Sequence, residues 1–63
     1  MEASELRLLR EGRGLSQLAL ATLIGVEQST VARWEQGAKP RETHARALAS
    51  ALGISVDDLD APA

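Results

Sequence analysis

The chain contains no cysteine, tyrosine or phenylalanine, and a single tryptophan is its only aromatic residue. Without cysteine there is no disulfide to staple the fold and no thiolate to hold a metal, so stability must come from a packed core. The lack of thiols is compatible with a reducing compartment. Scarce aromatics also weaken the case for strands. The apolar 44% of the sequence is almost wholly Leu, Ala, Val and Ile, and the excess of Leu and Ala favours helices. No apolar run approaches the ~18 residues of a membrane-spanning helix, and no basic-then-apolar leader opens the chain. The 63 residues are expected to form one domain, near the lower size limit for folding without a staple. A soluble, cytoplasmic, all-helical domain is the expectation.

The chain also lacks an overall basic excess, its formal net charge being −2. The charges are unevenly placed. Asp57, Asp58 and Asp60 crowd the C-terminal end, whereas residues 28–41 hold Arg33, Lys39 and Arg41 against Glu35 alone. A local patch governs encounter with a polyanion more than the total charge does, so nucleic acid is not excluded as a partner.

Helical periodicity and its punctuation predict five short helices, at about 4–11, 17–24, 28–36, 43–52 and 56–60. In the first, Leu6, Leu9 and Leu8 are expected inward, and Gly12 and Gly14 end it. The second follows Ser16, a favoured N-cap, and stops at Gly25, with Leu20, Ala21, Leu23 and Ile24 as its buried stripe and Leu18 outside that stripe. The fourth spaces Ala45, Leu48, Ala49 and Leu52 along one face before Gly53. Ser55 and Asp58 have the spacing of a capping box for the fifth. Leu15 with Leu20, Val26 with Val31, and Ile54 with Leu59 repeat one device, the hydrophobic staple, at three helix entrances. The extended loop is Gly37-Ala38-Lys39-Pro40-Arg41, and 61–63 are expected to fray.

The third helix carries the functional signal. At about 100° per residue, Gln28, Ser29, Ala32, Arg33 and Gln36 share one side, while Val31 and Trp34 face a core. A helix of this length cannot stand alone and must be held by the second, from which only Gly25-Val26-Glu27 separates it. That is the short glycine-containing turn of a helix-turn-helix. A helix so projected fits a DNA major groove roughly 12 Å wide, where Gln pairs bidentately with adenine and Arg with guanine. Ser29 and Ala32 are small enough for close approach, and the Ala32 methyl suits a thymine methyl.

Gln17, Leu20-Ala21, Gly25-Val26, Val31, Trp34-Glu35 and Gly37 together match the pattern Q-x-x-L-A-x-x-x-G-V…V-x-x-W-E-x-G. In this ordered set the chain resembles the Cro/C1-type helix-turn-helix domains, also called the xenobiotic-response-element type, over about residues 6–59. The resemblance implies a compact five-helix lambda-repressor-like domain that binds double-stranded operator DNA. It implies a homodimer on DNA, one recognition helix per half-site; alone, the chain is expected to be weakly associated or monomeric. By position, Gln28, Ser29, Ala32 and Arg33 would face bases, and Gln17 would bond a phosphate. Lys39 and Arg41 would lie along the DNA backbone, and Arg10 and Glu35 resemble an interhelical ion pair. The family commonly has Ser or Thr where this chain has Glu27, an acid at the entrance of the reading helix.

Other chemistry finds little support. His44, without cysteine or a second histidine, makes a poor metal site and reads as a helix-terminus residue. Ser16 and His44 have neither an orienting third group nor an oxyanion loop, so no enzyme and no cofactor is expected. The acidic end lacks calcium-ligand spacing. A second reading remains open beside the repressor one. The net charge and Glu27 also suit a structural or protein-interaction domain, a redesigned sequence among them, that keeps the scaffold without operator affinity.

Overall fold

Five helices form where the caps and glycines divide the chain: α1 (Ala3–Gly12), α2 (Gln17–Ile24), α3 (Gln28–Glu35), α4 (Glu42–Leu52) and α5 (Val56–Asp60). The computed structural model describes residues 3–60, and among these all regular structure is helical. The bounds of α2 and α5 are those expected. Those of α1, α3 and α4 move by one residue, within the usual fraying of helix ends. α3 stops at Glu35 because Gln36 leaves helical geometry (φ −97°, ψ 1°), its N–H shared between the carbonyls of Ala32 and Arg33 at 3.1 Å each. The expected tail, 61–63, lies outside the described residues.

The caps form as their sequences imply. Ser16 Oγ accepts the N–H of Ala19 at 3.0 Å, which satisfies an orphan donor of α2. Ser55 and Asp58 exchange hydrogen bonds: Asp58 N–H donates to Ser55 Oγ at 3.3 Å, and Ser55 N–H donates to Asp58 Oδ2 at 3.2 Å. Leu15, Val26 and Ile54, the entry-side members of the three staples, are half-buried against the core. The side chain of Leu59 lies outside the described residues.

Leu6, Leu20, Ala21, Val31, Trp34, Leu48 and Leu52 form the core, one contribution or more from each of α1 to α4. Ala45 and Ala49 are buried with them, so α4 presents the face its spacing predicts. Two expected core residues are outside. Leu8 is 67% exposed and Leu23 is 65% exposed. Both errors come from drawing the apolar stripe too wide. Leu8 lies about 200° round α1 from Leu6. On α2 the inward positions, buried Leu20 and Ala21 and half-buried Ile24, span only about 100°, and Leu18 and Leu23 flank them roughly 110° from the centre on either side. Leu18, expected outside, is 59% exposed.

Candidate nucleic-acid interface

The turn between α2 and α3 is built on Gly25, whose φ of 87° is the left-handed conformation that side chains resist. The N–H groups of Gly25 and Val26 both return to the carbonyl of Ala21, at 2.8 and 3.0 Å, closing α2 and redirecting the chain. Val26 then tucks against the core, and α3 starts at Gln28. The three-residue connection leaves α3 packed on α2 through Val31, which is fully buried, and Trp34.

With those anchors inside, the opposite side of α3 faces out. Gln28, Ser29, Arg33 and Gln36 are exposed and Ala32 is half-buried, so the sequence-predicted reading face is one continuous surface. Lys39 and Arg41 are exposed in the loop that follows, where Arg41 is the residue before α4. Among the described residues, Arg33, Lys39 and Arg41 take part in no ion pair. The one acid in this segment, Glu35, turns inward. The outward charge of residues 28–41 is therefore wholly positive.

Glu35 meets Arg10 in the interior between α1 and α3. Arg10 Nε donates to Glu35 Oε2 at 2.5 Å and Nη2 donates to Oε1 at 3.2 Å, a two-pronged pair. The side chains are only 10% and 7% exposed. Arg10 Nη1 also donates to the carbonyl of Leu15 at 2.7 Å, in the α1–α2 turn. Gln17 Nε2 adds a third donor to Glu35, reaching Oε1 at 3.1 Å. No buried side-chain polar atom among the described residues is left without a partner. Burial by itself would raise the Glu35 carboxyl. The hydrogen bonds from Arg10 and Gln17, with the charges of Arg10 and Arg7, outweigh it and hold the group below its ordinary value. The Arg10 guanidinium is raised, chiefly by its hydrogen bond to Glu35 against the opposing effect of burial.

The ion pair was legible from the motif. The Gln17–Glu35 bond was not, because it joins two helices across 18 residues of sequence, and the Arg10–Leu15 bond was not, because a side chain reaching a turn carbonyl leaves no mark in residue spacing. His44, in the first turn of α4, lies beside Trp34, ring centroids 5.8 Å apart and tilted by 52°, a packing contact that its helix-terminus reading left out. Glu27 stands at the N-cap of α3 with extended backbone but gives the helix no side-chain hydrogen bond.

A short helix held across another by a tight turn, its polar face outward and unpaired cations beside it, defines a helix-turn-helix domain of the DNA-binding kind. The family described as helix-turn-helix matches residues 6–59, and the chain belongs to that family, in its Cro/C1 type. It is a family of DNA-binding regulatory domains and not of enzymes. Neither the curated proteins nor the solved structures give a significant match to the chain. Among the described residues no helix is long and apolar enough to cross a membrane.

Proposed function

We propose that the chain is a sequence-specific double-stranded DNA-binding domain of a transcriptional repressor, reading the major groove with α3. Gln28 and Arg33 make bidentate base contacts, Ser29 allows close approach, and Ala32 meets a thymine methyl. Gln17, Lys39 and Arg41 hold the DNA backbone and set register. Two copies occupy the half-sites of an operator as a homodimer that assembles on DNA, each half-site contact reinforcing the other. The site of action is the cytoplasm, where a regulator of this family meets its operator.

The observation that carries this reading is the outward face of α3, with Arg33 unpaired beside exposed Lys39 and Arg41 while Glu35 is withdrawn into the interior. Packing alone explains Val31 and Trp34 but requires none of these outward residues. Titration against random-sequence duplex DNA at several salt concentrations, followed by operators selected from a random pool, tests it. Expected is salt-dependent binding to both pools, with the selected sites at least about 10³-fold tighter than random sequence. Equal affinity for both would leave a non-specific binder.

Exposed Leu18 and Leu23 on α2 favour a second reading, a protein-interaction domain on the same scaffold. Its mark is the absence of any salt-dependent DNA affinity in that titration.

A further inference from the structure

We infer that Glu35, clamped by Arg10, is a positioning residue that pre-orients Gln17 for its contact with the DNA backbone, an inference that rests on the DNA-binding reading above. Gln17 is the first residue of α2 and is half-buried, with its carboxamide nitrogen on Glu35 Oε1 at 3.1 Å. An ionised carboxylate only accepts hydrogen bonds, so the amide must face it with nitrogen. The flipped amide would set two acceptors against each other. One rotamer of the terminal torsion is thereby selected, and the second N–H and the carbonyl oxygen of Gln17 are left for an outside ligand.

Glu35 is itself fixed. Both of its oxygens are held by Arg10, and the third arm of the guanidinium is tied to the carbonyl of Leu15, two residues before Gln17. The bonds close a ring: Arg10 of α1 to Glu35 of α3, Glu35 to Gln17 of α2, and the backbone at Leu15 back to Arg10. A glutamine free in solvent loses rotamer freedom when it docks on a phosphate. Gln17 has lost that freedom on folding, so its contact with DNA carries a smaller entropic cost. Arg10, on a helix that presents nothing to the groove in the proposed docking, reaches the DNA through this ring.

The test separates positioning from simple stabilisation. In the otherwise unaltered chain, Gln17→Ala weakens binding to a selected operator by about tenfold, the worth of one hydrogen bond to a charged group. The same substitution is then made where Arg10→Met and Glu35→Leu replace the pair with apolar groups, a change that commonly preserves folding. There, Gln17→Ala changes affinity by less than about twofold, because Gln17 is no longer oriented and contributes little. An equal loss in both backgrounds overturns the positioning role while leaving DNA binding intact. Absence of DNA binding by the unaltered chain at any salt removes the functional reading and this inference together. Side-chain NMR of the unaltered chain gives an answer even if the double variant fails to fold. The Gln17 amide group is expected to be ordered without DNA and to stay so when DNA is added; an amide that is mobile when free and orders only on DNA overturns the inference.

Discussion

Ser16 and Glu27 occupy the same place at the entrances of successive helices, with nearly the same backbone (φ −75°, ψ 166° and φ −79°, ψ 153°), yet only Ser16 caps its helix. The difference lies in side-chain reach: the serine oxygen sits one carbon from the backbone and bends back to the third N–H, whereas the longer glutamate points into solvent. What Glu27 offers α3 is its charge near the positive end of the helix dipole, about 0.3–1 kcal/mol.

Glu27→Ser exchanges that charge for a cap. The two effects are of similar size, so stability is expected to change by less than roughly 1 kcal/mol. In the proposed docking the N-terminus of α3 approaches the phosphates, where an acid repels. The serine variant should therefore bind duplex DNA more tightly at low salt, by a factor that shrinks as salt rises. Titrations of both proteins on one operator at two salt concentrations read this out. No gain at low salt would place Glu27 away from the backbone and refute the docking of α3.

The outward residues divide into two kinds by the same experiment. Gln28→Ala or Arg33→Ala should cost about 1–3 kcal/mol on the preferred operator and relax base preference at one position. Lys39→Ala or Arg41→Ala should weaken all sequences alike and lower the salt slope by about one for each lost phosphate contact. Preserved selectivity in the first pair removes them from base readout, and an altered base preference in the second contradicts a backbone role.

A third prediction concerns the glycine that ends α4. Gly25 and Gly53 both adopt positive φ, 87° and 72°, but a Cβ at Gly25 meets nothing within 4 Å, whereas one at Gly53 falls 1.8 Å from Nη2 of Arg13. Both alanine variants carry the cost of the left-handed conformation, about 1–2 kcal/mol. Gly53→Ala also displaces a guanidinium from the negative end of α4, adding about 0.3–1 kcal/mol. The extra cost should vanish in an Arg13→Ala background, as chemical denaturation of the unaltered chain, the three single variants and the Arg13→Ala, Gly53→Ala double variant would reveal. If Gly53→Ala and Gly25→Ala cost the same with Arg13 intact, the guanidinium contributes nothing there.

Helix boundaries, caps and the outward face of α3 were legible because each depends on residues a few positions apart. Ser16, Ser55 with Asp58, and Gly25 act on their own turns, and the alternation of Gln28, Val31, Arg33 and Trp34 shows which side of a short helix must be wet. Leu8 and Leu23 were misplaced because apolarity alone does not say how wide a face the neighbours cover. α1 packs chiefly against α3, and the buried stripe of α2 is narrow. Gln17 shows the other limit. Its position in the motif suggested a backbone contact, but its bond to Glu35 joins residues 18 apart in sequence and could be seen only in the fold.

The fourth prediction is that the Arg10–Glu35 pair makes the stability of the domain depend on pH. Glu35 is held below its ordinary value of 4.5, although burial pushes it upward, because Arg10, Gln17 and Arg7 together prevail. A carboxyl depressed in the folded state contributes stability that is fully present above its unfolded value and is lost as pH falls through the folded one. The unaltered chain should accordingly be least stable in acid and level off above about pH 5. Arg10→Ala reverses the sign. With the guanidinium gone, burial becomes the dominant effect on Glu35, the protonated form is favoured, and stability falls as pH rises through the raised value. Near neutrality, leaving the buried acid unpaired should cost about 3–5 kcal/mol, a large part of what a domain of this size possesses. Arg10→Met leaves the same acid unpaired but restores some of the packing of the arginine stem, so it should show the same reversed slope with a smaller loss. Urea unfolding of the three proteins between pH 3.5 and 7 distinguishes the cases. Parallel stability curves for all three would mean that Glu35 titrates independently of Arg10, and the pair would lose its role in holding α1 to α3.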